Sequence, residues 1–219
     1  DVLLGGQGAP LVPIGDLLLF PDYNACLNLG GFANCSMSKS GDVIAYDICA
    51  VNTVMNSLAE KKGMPFDTAG KLAKNGTLIP ELFSDLSSLE FYKITSPKSL
   101  GIEWVNSIIS PLLTKFNDHK VENILHTYAR HVSLEISKNF SKNQHILVTG
   151  GGAKNLFLMS LLKTDCLATL FLPEEKLIDF KEALIFGFLG VLRVRNEVNC
   201  LATVTGASEN HSSGNIFYS

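Results

Sequence analysis

The alternation of apolar and polar residues divides the chain into a β-rich beginning and a mainly helical remainder. Alternation over Ala25–Asp47 predicts two or three strands, with hairpin residues at positions 39–42. From Asn52 apolar residues recur at helical spacing, and short helices are expected over Thr68–Asn75 and Ile79–Leu86. The chain is therefore predicted to begin with a small sheet and to continue with helices.

The second half alternates between helix and strand. A long apolar stripe predicts a helix over Asn117–Phe140, and a strand is expected at Cys166–Leu172, before Pro173. A helix with one nearly apolar side follows over Asp179–Val194, and the tail Thr203–Ser219 is expected to be loop with a short terminal strand. This order of elements predicts an α/β fold with a mixed sheet flanked by helices.

Three consecutive glycines, Gly150, Gly151 and Gly152, join a short strand that begins at Ile146 to an apolar helix. Such a turn leaves backbone bare, and the helix N-terminus that follows favours an anionic ligand. A turn whose glycines serve geometry alone is the alternative, and the two carry about equal weight. The spacing is neither G-x-G-x-x-G nor that of a P-loop, so those nucleotide-binding motifs are not indicated.

Two more glycine clusters lie near predicted strands. Gly5, Gly6 and Gly8 mark a sharp turn or a close approach to a ligand, although a surface loop has the same composition. Gly30 and Gly31 interrupt a strand pattern, which weakens a strand unless a ligand or another backbone comes close.

Three polar residues accompany these elements. Asn34 and Asp47 lie at or near strand ends, where polar groups of α/β proteins converge on ligands. Glu182 begins the apolar run of the last helix, and a surface group that compensates the helix dipole is favoured there over a ligand contact.

The histidines and cysteines form no recognisable metal-binding motif. Three histidines assigned to the long helix lack the i, i+4 spacing of a zinc pair and are expected to be solvated or capping: His119, His126 and His131. Five scattered cysteines are expected to be buried and reduced, as in a cytosolic protein: Cys26, Cys35, Cys49, Cys166 and Cys200. No metal centre of protein ligands is therefore predicted.

Composition narrows the class of protein. The chain has 219 residues, 46% of them apolar and 18% charged, which is ordinary for a soluble globular protein. A net charge of −3 and a pI near 6.0 exclude a field attractive to nucleic acid or anionic membrane. The longest apolar runs, such as Ala183–Leu192, are far shorter than the roughly 20 residues that span a bilayer. A soluble, cytoplasmic protein is expected, and a start at Asp1 in a glycine-rich motif is typical of a chain cut in mid-protein.

Taken in order, a set of motifs covering nearly the whole chain resembles the anhydro-N-acetylmuramic acid kinase family: GGQGAPLVP, LNLGGFAN, YDICAVN, PFDTAGKLAKNG, TSPKSLG, VTGGGAKN, KEALIFGFL and VTGASENHSSGNI. The resemblance implies a ribonuclease-H-like lobe of the actin-like, sugar-kinase and heat-shock-protein-70 superfamily, with part of a second lobe. It also implies that the chain is the carboxy-terminal portion of a two-lobed kinase. The family's N-terminal phosphate motif, GTSxDG, is absent, so little or no kinase activity is expected from these residues alone.

The resemblance further implies a reaction dependent on ATP and Mg²⁺. The family opens the 1,6-anhydro ring of anhydro-N-acetylmuramic acid with water and phosphorylates O6, giving N-acetylmuramic acid 6-phosphate for cell-wall recycling. The expected partners are this amino sugar and ATP, with neither nucleic acid nor membrane, and a homodimer is one assembly that the resemblance allows.

Residue roles follow from the same resemblance. Asp47 matches the aspartate of the family's DTGPGN motif, its general base. The expected nucleotide-binding residues are Gly30, Gly31, Gly150, Gly151, Gly152 and Asn155, and the expected substrate contacts are Glu182, Asn34 and Gln7.

One departure from the family pattern leaves catalysis open. After Asp47 the family's Thr-Gly-Pro-Gly is replaced by residues 48–51, and Val51 in place of glycine removes conformational freedom. A non-catalytic nucleotide- or sugar-binding regulator and an actin-like assembly module are the alternatives. Two carboxylates converging on one cleft, from Asp47 and Glu182, would favour the enzyme.

Overall fold

A computed structural model of the chain describes residues 1–39, 42–94 and 98–217. The five strands are β1 (Ala25–Leu29), β2 (Phe32–Lys39), β3 (Asp42–Ala50), β4 (His145–Thr149) and β5 (Thr169–Phe171). The α-helices are α1 (Val12–Leu19), α2 (Asn52–Glu60), α3 (Lys71–Lys74), α4 (Pro80–Ser87), α5 (Ile102–Trp104), α6 (Ser110–Thr114), α7 (Val121–Ser137), α8 (Leu156–Asp165), α9 (Glu175–Val194) and α10 (Ala202–Thr205). Short 3₁₀ segments span Val2–Leu4, Thr68–Gly70, Glu90–Lys93 and Gly151–Lys154, and a π-helical segment spans Val105–Ile109.

The strands form one mixed sheet in the order β3-β2-β1-β4-β5. The pairs β1–β2 and β2–β3 are antiparallel, whereas β1–β4 and β4–β5 are parallel. This confirms the predicted α/β fold with a mixed, helix-flanked sheet, and the arrangement is that of a ribonuclease-H-like lobe. The structure has three strands where two or three are predicted over Ala25–Asp47, while the hairpin positions 40 and 41 lie outside the described residues.

Each face of the sheet carries its own apolar cluster. Leu27 and Leu29 of β1 are fully buried in the main core, which includes α7 and α8. The intervening residues of β1 face the other side because strand side chains alternate. There α1 and α9 form a smaller cluster around Ile14, Ile185 and Leu189. The sheet is therefore covered on both faces.

A buried ion pair joins the two helices of the smaller cluster. Lys181 Nζ of α9 lies 2.7 Å from Asp16 Oδ1 of α1, and both side chains are almost fully buried. The Ser36 hydroxyl of β2 donates to Asp16 Oδ2 at 2.6 Å. This network fixes α9 against α1 and the sheet.

Several element boundaries differ from the prediction. The long helix begins at Val121, so His119 lies before it, and β5 has three residues instead of seven. Helix α9 begins at Glu175, one turn earlier than expected. The tail contains α10 and an isolated bridge between Cys200 and His211 in place of a terminal strand, and positions 218 and 219 lie outside the described residues.

The apolar side predicted for α9 is largely exposed. Leu184, Phe186 and Val191 are about half exposed, and a Cβ on Gly187 or Gly190 would meet no described atom. The helix instead buries a stripe at i, i+4, i+8 and i+11 that comprises Lys181, Ile185, Leu189 and Leu192. The pattern of apolar residues does not reveal this stripe, because one of its four members is a lysine. Among the described residues, no helix is both long and apolar enough to cross a membrane.

The expectation that the three histidines are solvated or capping is wrong for His131. This residue is fully buried, and neither ring nitrogen has a hydrogen-bond partner among the described residues. Its ring packs against the Tyr92 ring with centroids 4.8 Å apart, and its Nδ1 lies 3.9 Å from Glu135 Oε1, too far for a hydrogen bond. Burial, together with the positive charge of Lys138, lowers the pKa of His131 from 6.5 to about 3. The imidazole is therefore neutral in the folded protein at neutral pH.

This neutral histidine predicts a loss of stability in acid. Below pH 6.5 the unfolded chain binds a proton at His131 that the folded chain refuses until about pH 3, so stability falls as pH falls through this window. Between pH 6.5 and about pH 5 the loss amounts to about 2 kcal/mol. Urea unfolding at several pH values should show that His131→Leu removes this part of the pH dependence. The exposed His119, changed to Gln, is the control, and an unchanged pH dependence in His131→Leu would contradict the assignment.

A second prediction concerns the buried ion pair. Lys181→Met leaves the Asp16 carboxylate buried without a counter-charge and should lower the free energy of unfolding by about 3–5 kcal/mol. The double variant Asp16→Leu/Lys181→Met removes both charges and should be less destabilised than the single variant. Chemical denaturation measures both, and equal losses would show that lost packing, not the unpaired charge, is responsible.

Candidate active site

Two glycine turns lie side by side at one edge of the sheet. Strands β1 and β4 are parallel neighbours, so the turns that follow Leu29 and Thr149 leave the sheet at the same edge. Strand β3 runs in the same direction as β1, since both are antiparallel to β2. The carboxyl ends of three strands therefore meet where α/β proteins bind their ligands.

The turn after β4 packs directly on the end of β1. Gly150 has φ +83°, and a Cβ there would lie 2.8 Å from the carbonyl carbon and oxygen of Leu29. A Cβ on Gly152 would lie 2.8 Å from the Leu29 Cβ. Geometry alone thus requires these two glycines. Gly151 differs, because it is exposed and its Cβ position is 3.9 Å from the nearest atom, Asn52 Nδ2.

Asn52, the first residue of α2, connects the two turns. Its backbone N–H donates to the Gly30 carbonyl at 3.2 Å, and its side-chain Nδ2 donates to the Leu29 carbonyl at 3.2 Å. Its Oδ1 lies 3.5 Å from the Cβ position of Gly152. The Gly31 carbonyl accepts from the backbone N–H of Val51 at 2.8 Å, so the β1–β2 turn is held to the start of α2.

A row of polar residues crosses the sheet next to these turns. Asp47 of β3 pairs with Asn34 of β2, Asn34 pairs with Asn28 of β1, and Asn28 pairs with Thr149 of β4. Directly paired residues point to the same face of a sheet. The hydroxyl of Thr149 is buried and has no hydrogen-bond partner among the described residues. Four polar side chains therefore share the face on which α1 and α9 lie, at its carboxyl edge.

Asp47 is held by the segment Lys98–Leu100. Its Oδ2 accepts from the backbone N–H of Leu100 at 2.8 Å and from the Ser99 hydroxyl at 3.3 Å, and its backbone N–H donates to the Lys98 carbonyl. Burial raises the pKa of the Asp47 carboxyl above its ordinary value, and the bonds from Leu100 and Ser99 offset this only in part. The carboxylate is consequently both oriented and more basic than an exposed aspartate.

The residues after Asp47 continue strand β3 instead of forming a glycine-rich turn. Residues 48–51 are buried, and the bulge of β3 lies opposite Ala33 and Asn34. Val51 has φ −125°, outside the left-handed region that favours glycine, so valine is accommodated there without that strain.

Comparison with known proteins shows the family of this chain. The family model described as anhydro-N-acetylmuramic acid kinase matches residues 1–219. The chain belongs to the anhydro-N-acetylmuramic acid kinase family. It is 36% identical over 234 residues to the anhydro-N-acetylmuramic acid kinase of Actinobacillus pleuropneumoniae serotype 5b, covering 99% of this chain and 63% of the relative.

The chain spans about 63% of the length of the curated relatives it matches. The anhydro-N-acetylmuramic acid kinase of a Bacillus cereus strain is 29% identical over 239 residues, which cover 100% of this chain and 63% of the relative. Among solved structures, the activator of the 2-hydroxyisocaproyl-CoA dehydratase from Clostridium difficile with bound ADPNP has a TM-score of 0.47 and 14% identity. The match covers 83% of this chain and 65% of the activator.

Within this anhydro-N-acetylmuramic acid kinase family member, Asn155 and Gln7 are not members of the polar row. The Asn155 side chain caps α8, and its Oδ1 accepts from the Leu158 N–H at 3.0 Å. Gln7 is exposed, and its backbone N–H donates to the Thr205 carbonyl at 2.9 Å. The loop around Gln7 is thereby attached to the tail of the chain.

Glu182 is exposed in the interior of α9 and does not lie near the N-terminus of that helix. It directly follows Lys181, whose ion pair places α9 beside α1. Lys154 also ties the start of α9 to the end of the glycine turn, since its Nζ lies 2.7 Å from Asp179 Oδ1. Asp47 and the helix that carries Glu182 therefore lie on the same side of the sheet.

Asn28 and Thr149 help to build this site although no site role is predicted for them from the sequence, and Asn52 is predicted only as the start of a helix. Thr149 directly precedes Gly150, and Asn28 lies two residues before Gly30 near the end of β1, so a polar residue close to a glycine at a strand end is the signal that could have indicated these two. The contact between Asp47 and Lys98–Leu100 joins positions about fifty residues apart, and spacing carries no information about it.

The two adjacent glycines of the β4 turn offer a matched test of this geometry. Gly150→Ala forces a Cβ against the Leu29 backbone at positive φ and should lower the free energy of unfolding by roughly 1–3 kcal/mol. Gly151→Ala enters open space and should be nearly neutral. Urea denaturation of both variants measures the difference, and equal losses would contradict the packing described.

Proposed function

We propose that the complete protein is an ATP-dependent kinase that converts 1,6-anhydro-N-acetylmuramic acid to N-acetylmuramic acid 6-phosphate with hydrolytic opening of the anhydro ring. The single observation that carries this proposal is the junction of Asp47, the polar row and the two glycine turns at one edge of the sheet. Family membership supplies the substrate class, and the reaction belongs in the cytoplasm, in cell-wall recycling.

The glycine turns form the nucleotide side of the proposed site. Gly30, Gly31 and Asn34 would lie beside the β- and γ-phosphates, and the open backbone at Gly151 would face the adenosine. The residues fit such a ligand, because Gly151 leaves room that a Cβ would fill and the buried Thr149 hydroxyl lacks a partner among the described residues. ATP accompanied by Mg²⁺ supplies the phosphoryl group, and the protein contributes mainly positioning and charge stabilisation.

Asp47 acts as the general base in this proposal. It takes a proton from water as the water oxygen attacks the anomeric carbon, the bond from that carbon to O6 breaks, and O6 takes the γ-phosphoryl group while ADP leaves. The bonds from Leu100 and Ser99 both go to Oδ2, which orients the carboxylate. Its raised pKa increases its basicity, and a positioned base contributes roughly 10²–10⁴-fold.

Glu182, Asn34 and Gln7 are proposed to contact the sugar. Asn34 is directly opposite Asp47 across the β2–β3 pair. Glu182 would approach from α9, on the same side of the sheet. Asn155 is assigned to the nucleotide through its place between the glycine turn and α8, where its side chain already serves as the helix cap.

Replacing the proposed base tests this mechanism. Asp47→Asn keeps the size and the acceptor oxygen of the side chain but cannot take the proton, so kcat should fall by at least about 10²-fold. In the unchanged enzyme, activity should fall as pH falls through a pKa above the usual value of about 3.9 for aspartate, since the base must be ionised. The measurement is formation of the 6-phosphate from ATP, Mg²⁺ and the anhydro sugar by the full-length protein.

The exposed Asp42, on the same strand, gives the matched control, and Asp42→Asn should leave turnover unchanged. Retained activity in Asp47→Asn would remove Asp47 from the mechanism. Nucleotide binding without turnover by the full-length protein would instead favour a non-catalytic regulator. The 219-residue chain alone is expected to show little or no turnover.

A further inference from the structure

Three potential metal ligands from distant parts of the chain meet beside the loop that contains Gln7. One ligand atom from each of Asp1, Cys200 and His211 lies within 4.8 Å of the other two. Cys200 Sγ is 3.2 Å and His211 Nε2 is 3.5 Å from Asp1 Oδ1. Cys200 is buried, and the side chains of Asp1 and His211 are only 5% and 13% exposed. The cluster is thus a closed group of one carboxylate, one thiol and one imidazole.

In the neutral form of the His211 ring, no hydrogen atom lies between Nε2 and the Asp1 carboxylate. The Nδ1 of this ring lies 3.0 Å from the Glu209 carbonyl oxygen, which can only accept, so Nδ1 carries the hydrogen. In the neutral ring Nε2 then bears a lone pair that faces the Asp1 carboxylate, and it has no hydrogen-bond partner among the described residues. Two acceptors buried against each other are unfavourable unless a cation lies between them.

The surrounding backbone holds the three donors in place. Cys200 and His211 are joined by a pair of backbone hydrogen bonds, each 3.1 Å long. Asp1 Oδ1 accepts from the Thr205 hydroxyl at 2.7 Å, and Asp1 Oδ2 accepts from the Gly8 N–H at 2.6 Å. Bonds of this kind to ligating carboxylates and to the second nitrogen of a ligating histidine are typical of metal sites.

We propose that Asp1, Cys200 and His211 bind Zn²⁺. Zinc bonds of about 2.0–2.3 Å to oxygen, nitrogen and sulfur in a tetrahedron place neighbouring donors roughly 3.3–3.7 Å apart, which the observed separations of 3.2 and 3.5 Å approach. The thiol of Cys200 loses its proton to solvent on binding, so a thiolate and a carboxylate balance the two charges of the ion. The fourth position remains for water.

The site would clamp the two ends of the described chain together. Asp1 precedes the glycine-rich loop that contains Gly8 and Gln7, and His211 belongs to the closing motif. The ion would therefore stabilise that loop against the tail. The ion takes no part in the steps of the proposed kinase reaction, and its test does not depend on turnover.

Metal binding by the complete polypeptide, stripped with a chelator, tests the proposal. Titration with Co²⁺, which reports tetrahedral thiolate coordination, should give one equivalent of visible and thiolate charge-transfer absorption, and one equivalent of Zn²⁺ should displace it. Zn²⁺ should also raise the midpoint of thermal unfolding. Cys200→Ser and His211→Gln should each lose the Co²⁺ spectrum and the thermal shift, whereas Cys166→Ser and His119→Gln should keep both.

A Co²⁺ spectrum without a thiolate band would overturn the proposal, as would unchanged metal binding in either Cys200→Ser or His211→Gln. Detection of hydrogens on both ring nitrogens of His211 by NMR in zinc-supplemented protein would overturn it as well, because a proton would then occupy the place assigned to the ion. The spectrum of the unchanged protein decides the matter even where a variant fails to fold.

Discussion

The close packing of the β4 turn on Leu29 is the constraint on which the rest of the candidate site depends. The backbone of Gly150 and Gly152 can approach Leu29 only because neither residue has a Cβ. That approach leaves the Leu29 carbonyl accessible to the Asn52 side chain, which also binds the neighbouring turn through its backbone. Two turns from different parts of the chain thereby become one rigid edge. Gly151 is the point on that edge where the backbone stays open.

The sheet connects this edge to Asp47, the proposed base. Direct pairing across four strands aligns Thr149, Asn28, Asn34 and Asp47, so the distance from the β4 turn to the Asp47 carboxylate is set by strand spacing. The segment Lys98–Leu100 then orients the carboxylate from outside the sheet. The ion pair of Lys181 with Asp16 holds α9, which carries Glu182, against α1 on the same side of the sheet as the polar row. Rigid elements thus position each of these groups, which the proposed phosphoryl transfer would require.

The sequence was sufficient to predict the features that depend only on a pattern among neighbouring residues. The strands, the glycine turns and the last helices were predicted because alternation, helical spacing and glycine are properties of a few neighbouring residues. Asp47 and the family were identified from the sequence because the chain contains an ordered set of motifs that resembles those of the family. The assignment of roles to site residues stays a prediction, and Asn155 shows why, since its side chain serves as a helix cap whatever else it contacts.

What the sequence could not supply depends on contacts between distant residues. His131 was expected to be solvated because it lies outside the predicted apolar stripe of the helix, yet aromatic rings from another segment bury it. Lys181 is buried by its ion pair with Asp16, 165 positions away, and no local pattern in the sequence indicates this burial. The cysteines seemed too scattered for a metal site, but an isolated bridge brings Cys200 to His211. In each case burial of a polar group is decided by tertiary packing, which local periodicity does not encode.

The most direct test of the central claim is a crystal structure of the complete protein with a non-hydrolysable ATP analogue, Mg²⁺ and the anhydro sugar. The account predicts phosphates beside Gly30 and Gly31, adenosine against Gly151, and the anomeric carbon of the sugar within reach of a water bound by Asp47. A nucleotide bound away from both glycine turns, or a sugar remote from Asp47, would contradict it.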